Sequence, residues 1–212
     1  MCYELLNGNQ PIRQGDLFFP LPCANISLDN VQAISEDGYL EAMDWANAQS
    51  KEGISATILL EKTWGIVATQ DCDATWRSSI SLFRIRPFED VTGSHPTKDS
   101  KWVSMLTERI CKNASWFYLP KDSDMGINEE MAINFHEIFQ IERVDLEKYI
   151  ILRKGRLADF AYEHYREAIA QYFRRYPYNE WYPFTRKQIE VYAKDRKLKV
   201  EDIVPKYPMN ER

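Results

Sequence analysis

The sequence predicts an α+β protein: a small, strongly bent antiparallel β-barrel with inserted helices, followed by a C-terminal helical segment. Three observations lead there. Short runs of β-branched and aromatic residues recur through residues 1–150 without a regular strand–helix alternation. The longest helical periodicity falls after residue 150. Charge divides at the same place: residues 1–150 hold 13 basic and 23 acidic side chains, a net of −10, and residues 151–200 hold 12 basic and 6 acidic, a net of +6.

The elements follow in order. Residues 15–19 read as a strand entered through a glycine turn and ended by Pro20 and Pro22. Leu40, Met43 and Ala46 predict a helix over 36–50. Residues 54–61 and 63–70 form the best pair of strands, and 79–86 gives another, ended by Pro87. A loop over 92–100 leads into a helix at 100–112. A strand at 116–119 stops at Pro120, and 121–129 is a polar loop. Residues 131–141 hold one or two strands. The strongest helix covers 157–175, with Leu157, Phe160, Ala161, Tyr165, Ala168, Ile169 and Tyr172 as its apolar stripe. Two prolines break it, Thr185 caps a last helix to about 197, and 201–212 reads as a flexible tail. The expected organisation is therefore a barrel-like body over 1–150, a basic helical segment over 151–200, and the tail.

The chain has 212 residues, 44% apolar and 28% charged, with a net charge of −5. That is the composition of a globular protein with a real core, and it excludes a uniformly basic nucleic-acid coat. No apolar run approaches the ~18 residues of a membrane span. The four cysteines are far apart, so no zinc site or disulfide scaffold is expected, and reduced thiols in the cytoplasm are the default. Dinucleotide, P-loop, nucleophile-elbow and zinc-protease fingerprints are absent, so no cofactor or metal is expected.

Five features carry candidate chemistry. Thr69-Gln70-Asp71-Cys72-Asp73 follows the best core strand. Flanking carboxylates disfavour a Cys72 thiolate, which argues against a nucleophile. Either Cys72 fills a core pocket while Asp71 and Asp73 bond turn amides, or the carboxylates and the Gln70 amide form a recognition pocket. Gly15-Asp16 reads as a strand-entry turn. Arg84 and Arg86 share one strand face and suit a phosphate or carboxylate, or are a solvated pair. His95, His136 and His164 lie far apart and define no metal site, and His136 faces solvent on an alternating strand. Finally, residues 174–187 mix Arg174, Arg175, Arg186 and Lys187 with Tyr176, Tyr178, Trp181, Tyr182 and Phe184. That composition suits a protein hot spot, a single-stranded nucleic-acid surface, or a docking seam for the last helix.

Four segments match, in order, a group of mostly uncharacterised bacterial proteins. They are Gly15-Asp16-Leu17-Phe18, Val67-Ala68-Thr69-Gln70-Asp71-Cys72-Asp73, Phe117-Tyr118-Leu119-Pro120, and Arg153-x-x-Arg156-Leu157-Ala158 opening a helix that ends at Phe173-Arg174-Arg175. The chain resembles that group over residues 12–176. Residues 34–53 and 178–212 look like additions. The opening strand and the later apolar strand are also similar, at fold level, to the barrel of MazF/PemK-type toxins. Those toxins cut RNA without metal, using a basic residue and a hydroxyl. Here their Arg-Pro is replaced by Lys62-Thr63-Trp64-Gly65.

The functional expectation is a non-catalytic binding or regulatory module of a bacterial stress or phage-defence system, with a protein partner and no membrane association. Its binding residues would be Gln70, Asp71, Cys72, Asp73, Arg174, Arg175, Tyr178, Trp181 and Tyr182. The alternative is a MazF-like ribonuclease using Thr69, Asp73, Arg84 and Arg86. A further alternative is single-stranded nucleic-acid binding through the C-terminal segment.

Overall fold

The computed structural model describes residues 2–6, 10–24, 31–34, 37–48, 59–93, 103, 115–174 and 186–200. Nine strands appear among them: β1 (Tyr3–Glu4), β2 (Asp16–Ala24), β3 (Val31–Ile34), β4 (Leu40–Met43), β5 (Leu60–Val67), β6 (Ser79–Pro87), β7 (Trp116–Leu119), β8 (Met131–Glu142) and β9 (Arg153–Leu157). The helices are α1 (Trp45–Ala48), α2 (Asp71–Ala74), α3 (Phe88–Thr92), α4 (Arg143–Lys148), α5 (Asp159–Phe173) and α6 (Arg186–Arg196). The architecture is α+β. Seven strands form one antiparallel sheet in the order β1-β9-β2-β5-β6-β8-β7, and β3 and β4 form a separate hairpin.

The sheet is not closed. Its edges are the two-residue β1 and the four-residue β7, which pair inward only, so the expected barrel closure is not present among the described strands. Alternation along the strands gives the sheet two apolar faces. Leu17, Ile66, Phe83 and Ile133 on one face pack with Ala161 and Tyr165 of α5. Phe18, Val67, Ile80 and Leu82 on the other pack with Leu146 of α4 and the short 3₁₀ turn Ile150–Leu152. Gly65 sits on that second face because a β-carbon would lie 2.9 Å from Phe139 and 3.0 Å from Leu21.

Several expectations are corrected. β2 does not stop at Pro20 but runs through both prolines to Ala24. Proline is tolerated at a bulge or where no neighbour needs its N–H. Here the ladder to β5 shifts register between Phe18 and Leu21, and β9 pairs only as far as Phe18. Of the helix expected over 36–50, the described residues 37–48 instead hold Gly38 (φ +81°), β4, which pairs with β3, and the four-residue α1. Cross-strand pairing with residues 31–34 overrides a helical pattern of only three matches. β5 runs without a break through Lys62, the residue between the strands expected at 54–61 and 63–70, and Lys62 and Thr63 pair with Pro22 and Leu21. Residues 131–142 form a single strand, with the register shifting between Phe83 and Arg84 of β6. Helix α5 spans Asp159–Phe173, but Phe160 is 59% exposed and leaves the apolar stripe.

The division at 150/151 also differs from the observed one. Compact units meet between Tyr172 and Phe173, and β9 lies inside the sheet between β1 and β2. The basic charge of residues 153–156 had placed that strand with the helical segment. The second unit contains α6, ended by Lys197 in the left-handed region (φ 56°) with Leu198 N–H donating to the Ala193 carbonyl at 2.9 Å. The expected segments 54–58, 94–100, most of 100–112, and 201–212 lie outside the described residues.

Candidate functional site

Three of the sequence motifs meet at one end of the sheet. Gly15 makes the approach: at φ +86° it donates to the Val67 carbonyl (3.0 Å) and accepts from Leu157 N–H (3.1 Å). A β-carbon there would press on the Tyr162 ring at 3.2 Å, so both its backbone angle and its space favour glycine.

Asp16 comes next and is 0% exposed. Its carboxylate accepts from Arg156 Nε, from Arg153 Nη1 at 3.0 Å, and from the Arg13 amide at 3.1 Å. Residues three apart on a regular strand face opposite sides. The β2–β9 register shifts between Leu17 and Phe18, and both arginines reach the one carboxylate. The same two arginines donate to the Pro11 carbonyl. The expected turn role of Asp16 is present, with a buried ion cluster added to it.

Asp71 opens α2 and reaches across to the neighbouring loop. One oxygen accepts the Gln14 amide at 2.8 Å; the other accepts Arg13 at 3.0 and 3.2 Å and the Tyr162 hydroxyl at 3.2 Å. Gln14 closes the circuit by donating its side-chain amide to the Ala68 carbonyl at 2.7 Å. Partial burial pushes the Asp71 pKa up, but the Gln14, Arg13 and Tyr162 donors outweigh it and hold the carboxyl below its ordinary value. Burial, then the Asp71 charge, raise the Tyr162 phenol. A depressed carboxyl stabilises the fold above its unfolded pKa, about 3.9, and loses that contribution as pH falls through the folded value. The stability gap between wild type and Asp71→Asn is therefore expected to stay level from neutral pH to about pH 4 and shrink below it. A gap that widens on acidification in urea titrations would overturn this assignment.

Gln70, Cys72, Trp76 and Arg77 of the turn face outward. Cys72 is exposed, which corrects the expected core pocket; Ala74 fills that place instead, because a one-turn helix beginning at Asp71 turns its fourth residue inward. Asp73 pairs with Arg77 at 3.9 Å. Gln70 is exposed, and its carbonyl accepts from Asp73 and Ala74 N–H. The Thr69 hydroxyl accepts the Ser81 amide at 2.8 Å. Trp76 is 61% exposed, and the Arg77 guanidinium lies 4.3 Å from the centre of its ring.

Arg84 and Arg86 do share a face. Arg84, 5% exposed, donates to the Thr63 hydroxyl at 3.0 Å and to Glu61; its Nη1 lies 3.5 Å from Glu137 without a hydrogen bond. Arg86 donates to Glu137 at 3.0 Å, and Asn134 holds the other Glu137 oxygen at 2.9 Å. The Arg84 hydrogen bond and charge lower the Glu61 pKa. Two cations and two carboxylates make this cluster charge-balanced. Its members are not shared with the Asp71 network: Asp73 is paired with Arg77, and Thr69 is tied to Ser81. The four residues of the ribonuclease reading are thus distributed over separate hydrogen-bond systems.

No family model matches the chain, and no curated protein matches it.

His136 is exposed and shares a 3.1 Å hydrogen bond with the Tyr172 hydroxyl; His164 is exposed on α5. Among the described residues no group of three or more His, Cys, Asp or Glu side chains is placed to hold a metal ion. Nor is any helix among them long and apolar enough to cross a membrane. Arg174 is exposed just past α5, and Arg175, Tyr178, Trp181 and Tyr182 lie outside the described residues. Sequence reasoning missed Arg13, Gln14, Tyr162 and the Trp76-Arg77 pair. The last had a signal, a Trp-Arg dipeptide in an otherwise polar turn. The others are made partners only by folding.

Proposed function

We propose that this chain is a non-catalytic binding or regulatory module of a bacterial stress or phage-defence type system, and that it recognises a protein partner through the turn 70–77. The observation that carries this reading is a rigidly supported, exposed tip. Asp71 fastens the turn to Arg13, Gln14 and Tyr162, while Cys72, Trp76 and Arg77 face outward. Exposed Trp and Arg on a loop held by a rigid scaffold is the composition of an interface hot spot. The likeness to the group of mostly uncharacterised bacterial proteins adds support, because Asp16, Asp71, Arg153 and Arg156 from the matching segments hold this tip's foundation.

The experiment is capture of partners from a bacterial host lysate with wild-type protein and with Trp76→Ala/Arg77→Ala. The wild type is expected to retain a protein partner and the variant to bind it with about 2 kcal/mol less affinity, roughly thirtyfold. Both proteins should unfold at the same temperature. Equal capture by the two would remove the turn from the interface. Metal-free RNA cleavage by the purified protein would replace this reading with the MazF-like one.

A further inference from the structure

Strand β8 has a side that no described strand covers. Over Met131–Asn134 it pairs with β7, and the Phe135 N–H beyond is taken by the Ser115 carbonyl. From Ile138 to Glu142 it pairs with β6 alone. The direction of its backbone groups is settled by two bonds. Arg143 N–H donates to the Ser78 carbonyl, and the Ser81 carbonyl accepts from Ala68 and Thr69 on the far side of β6. In an antiparallel ladder the bonded pairs alternate. Phe139 and Ile141 therefore turn their N–H and C=O toward β6, and Ile138, Gln140 and Glu142 turn theirs to the open side. An open row of this kind is a template for another strand.

We propose that the strand is completed by a second copy of this chain, pairing antiparallel about a two-fold axis at Gln140. The open row of three residues is symmetric about Gln140, so this register uses every outward group and no like charges face each other. Gln140 meets Gln140 of the second copy, Ile138 meets Glu142, and Phe139 meets Ile141. On the inner face Phe139 and Ile141 are half-buried beside the Leu146 cluster, and the pairing extends that apolar layer across the axis. On the other face Ile138, 54% exposed, gains cover. This inference is independent of the turn 70–77.

The test is the mass in solution by light scattering over a dilution series. Wild type is expected to approach twice the 25.0 kDa of one chain. Ile138→Glu sets two Glu–Glu pairs across the axis and should weaken the dimer about tenfold, whereas Ile138→Lys sets two opposite-charge pairs and should preserve it. Ile138→Glu/Glu142→Lys should restore it. In a Cys72→Ser background, Gln140→Cys should form an intermolecular disulfide, since bonded pairs bring the α-carbons to about 5.5 Å. A wild type that stays monomeric at every concentration overturns the proposal. So does a dimer equally tight in Ile138→Glu and Ile138→Lys.

Discussion

Replacing Asp16 by alanine is expected to lower folding stability by about 3–5 kcal/mol, the cost of leaving buried charge without its partner. The carboxylate is 0% exposed, and the Arg153 and Arg156 side chains that bind it are 3% and 9% exposed. Removing it takes the carboxylate away from two guanidinium groups that also donate to the Pro11 carbonyl. Asp16→Asn keeps the shape but removes the charge, and it is expected to lose nearly as much. Arg156→Met added to Asp16→Ala should recover part of the loss, because a buried cation is then removed as well. Urea unfolding of the four proteins measures all of this. A loss below about 1 kcal/mol for Asp16→Ala would mean that water reaches the cluster, as it does for exposed pairs.

The second large effect is at Tyr165, the largest of the fully buried side chains. Its ring packs edge-on against Phe117 at 5.8 Å between centroids, and its hydroxyl donates to the Val67 carbonyl at 3.1 Å. Burial raises the phenol well above its ordinary pKa, so it stays a donor across the working pH range. Tyr165→Ala empties the seam between α5 and the sheet and should cost about 3–5 kcal/mol, as other aromatic truncations do. Tyr165→Phe should cost only about 1 kcal/mol, because the Val67 carbonyl keeps the Gly15 N–H. Thermal unfolding separates the two. Equal losses would show that the hydroxyl, not the ring, holds the helix in place.

Much of the fold could be read directly from local chemistry. β6 ends at Pro87 and β7 at Leu119, before Pro120, because proline ends an apolar run by removing a donor. Helix α5 was visible in its repeat of Ala161, Tyr165 and Tyr172. The prolines of β2 misled for the same physical reason that they informed elsewhere. Whether a missing N–H matters depends on whether a neighbouring strand needs it, and β9 does not extend past Phe18. The fate of residues 37–48 was equally invisible, since β4 is held by pairing with residues 31–34.

For the candidate site, residue types were legible and partnerships were not. A carboxylate in a turn after a core strand has several chemically equal uses. Only the approach of the loop 11–16 and of α5 to that turn commits Asp71 to Arg13, Gln14 and Tyr162, the last of these 91 residues away in sequence. The arginines of the basic segment proved divided. Arg153 and Arg156 are counter-ions inside the sheet, while Lys187, Lys194 and Arg196 are exposed on α6 in the second unit.

The sequence alone determined the class of fold, most of the strands after residue 60, the main helix, and the segments in which polar residues cluster. Each depends on periodicity and turn chemistry within a few residues. The tertiary structure decided which strands are neighbours, that the sheet stays open, and that Asp16 is neutralised while the tip at Cys72 and Trp76 is not enclosed. Those outcomes rest on register shifts and on charges brought together from 58 to 140 residues apart, which no local pattern encodes.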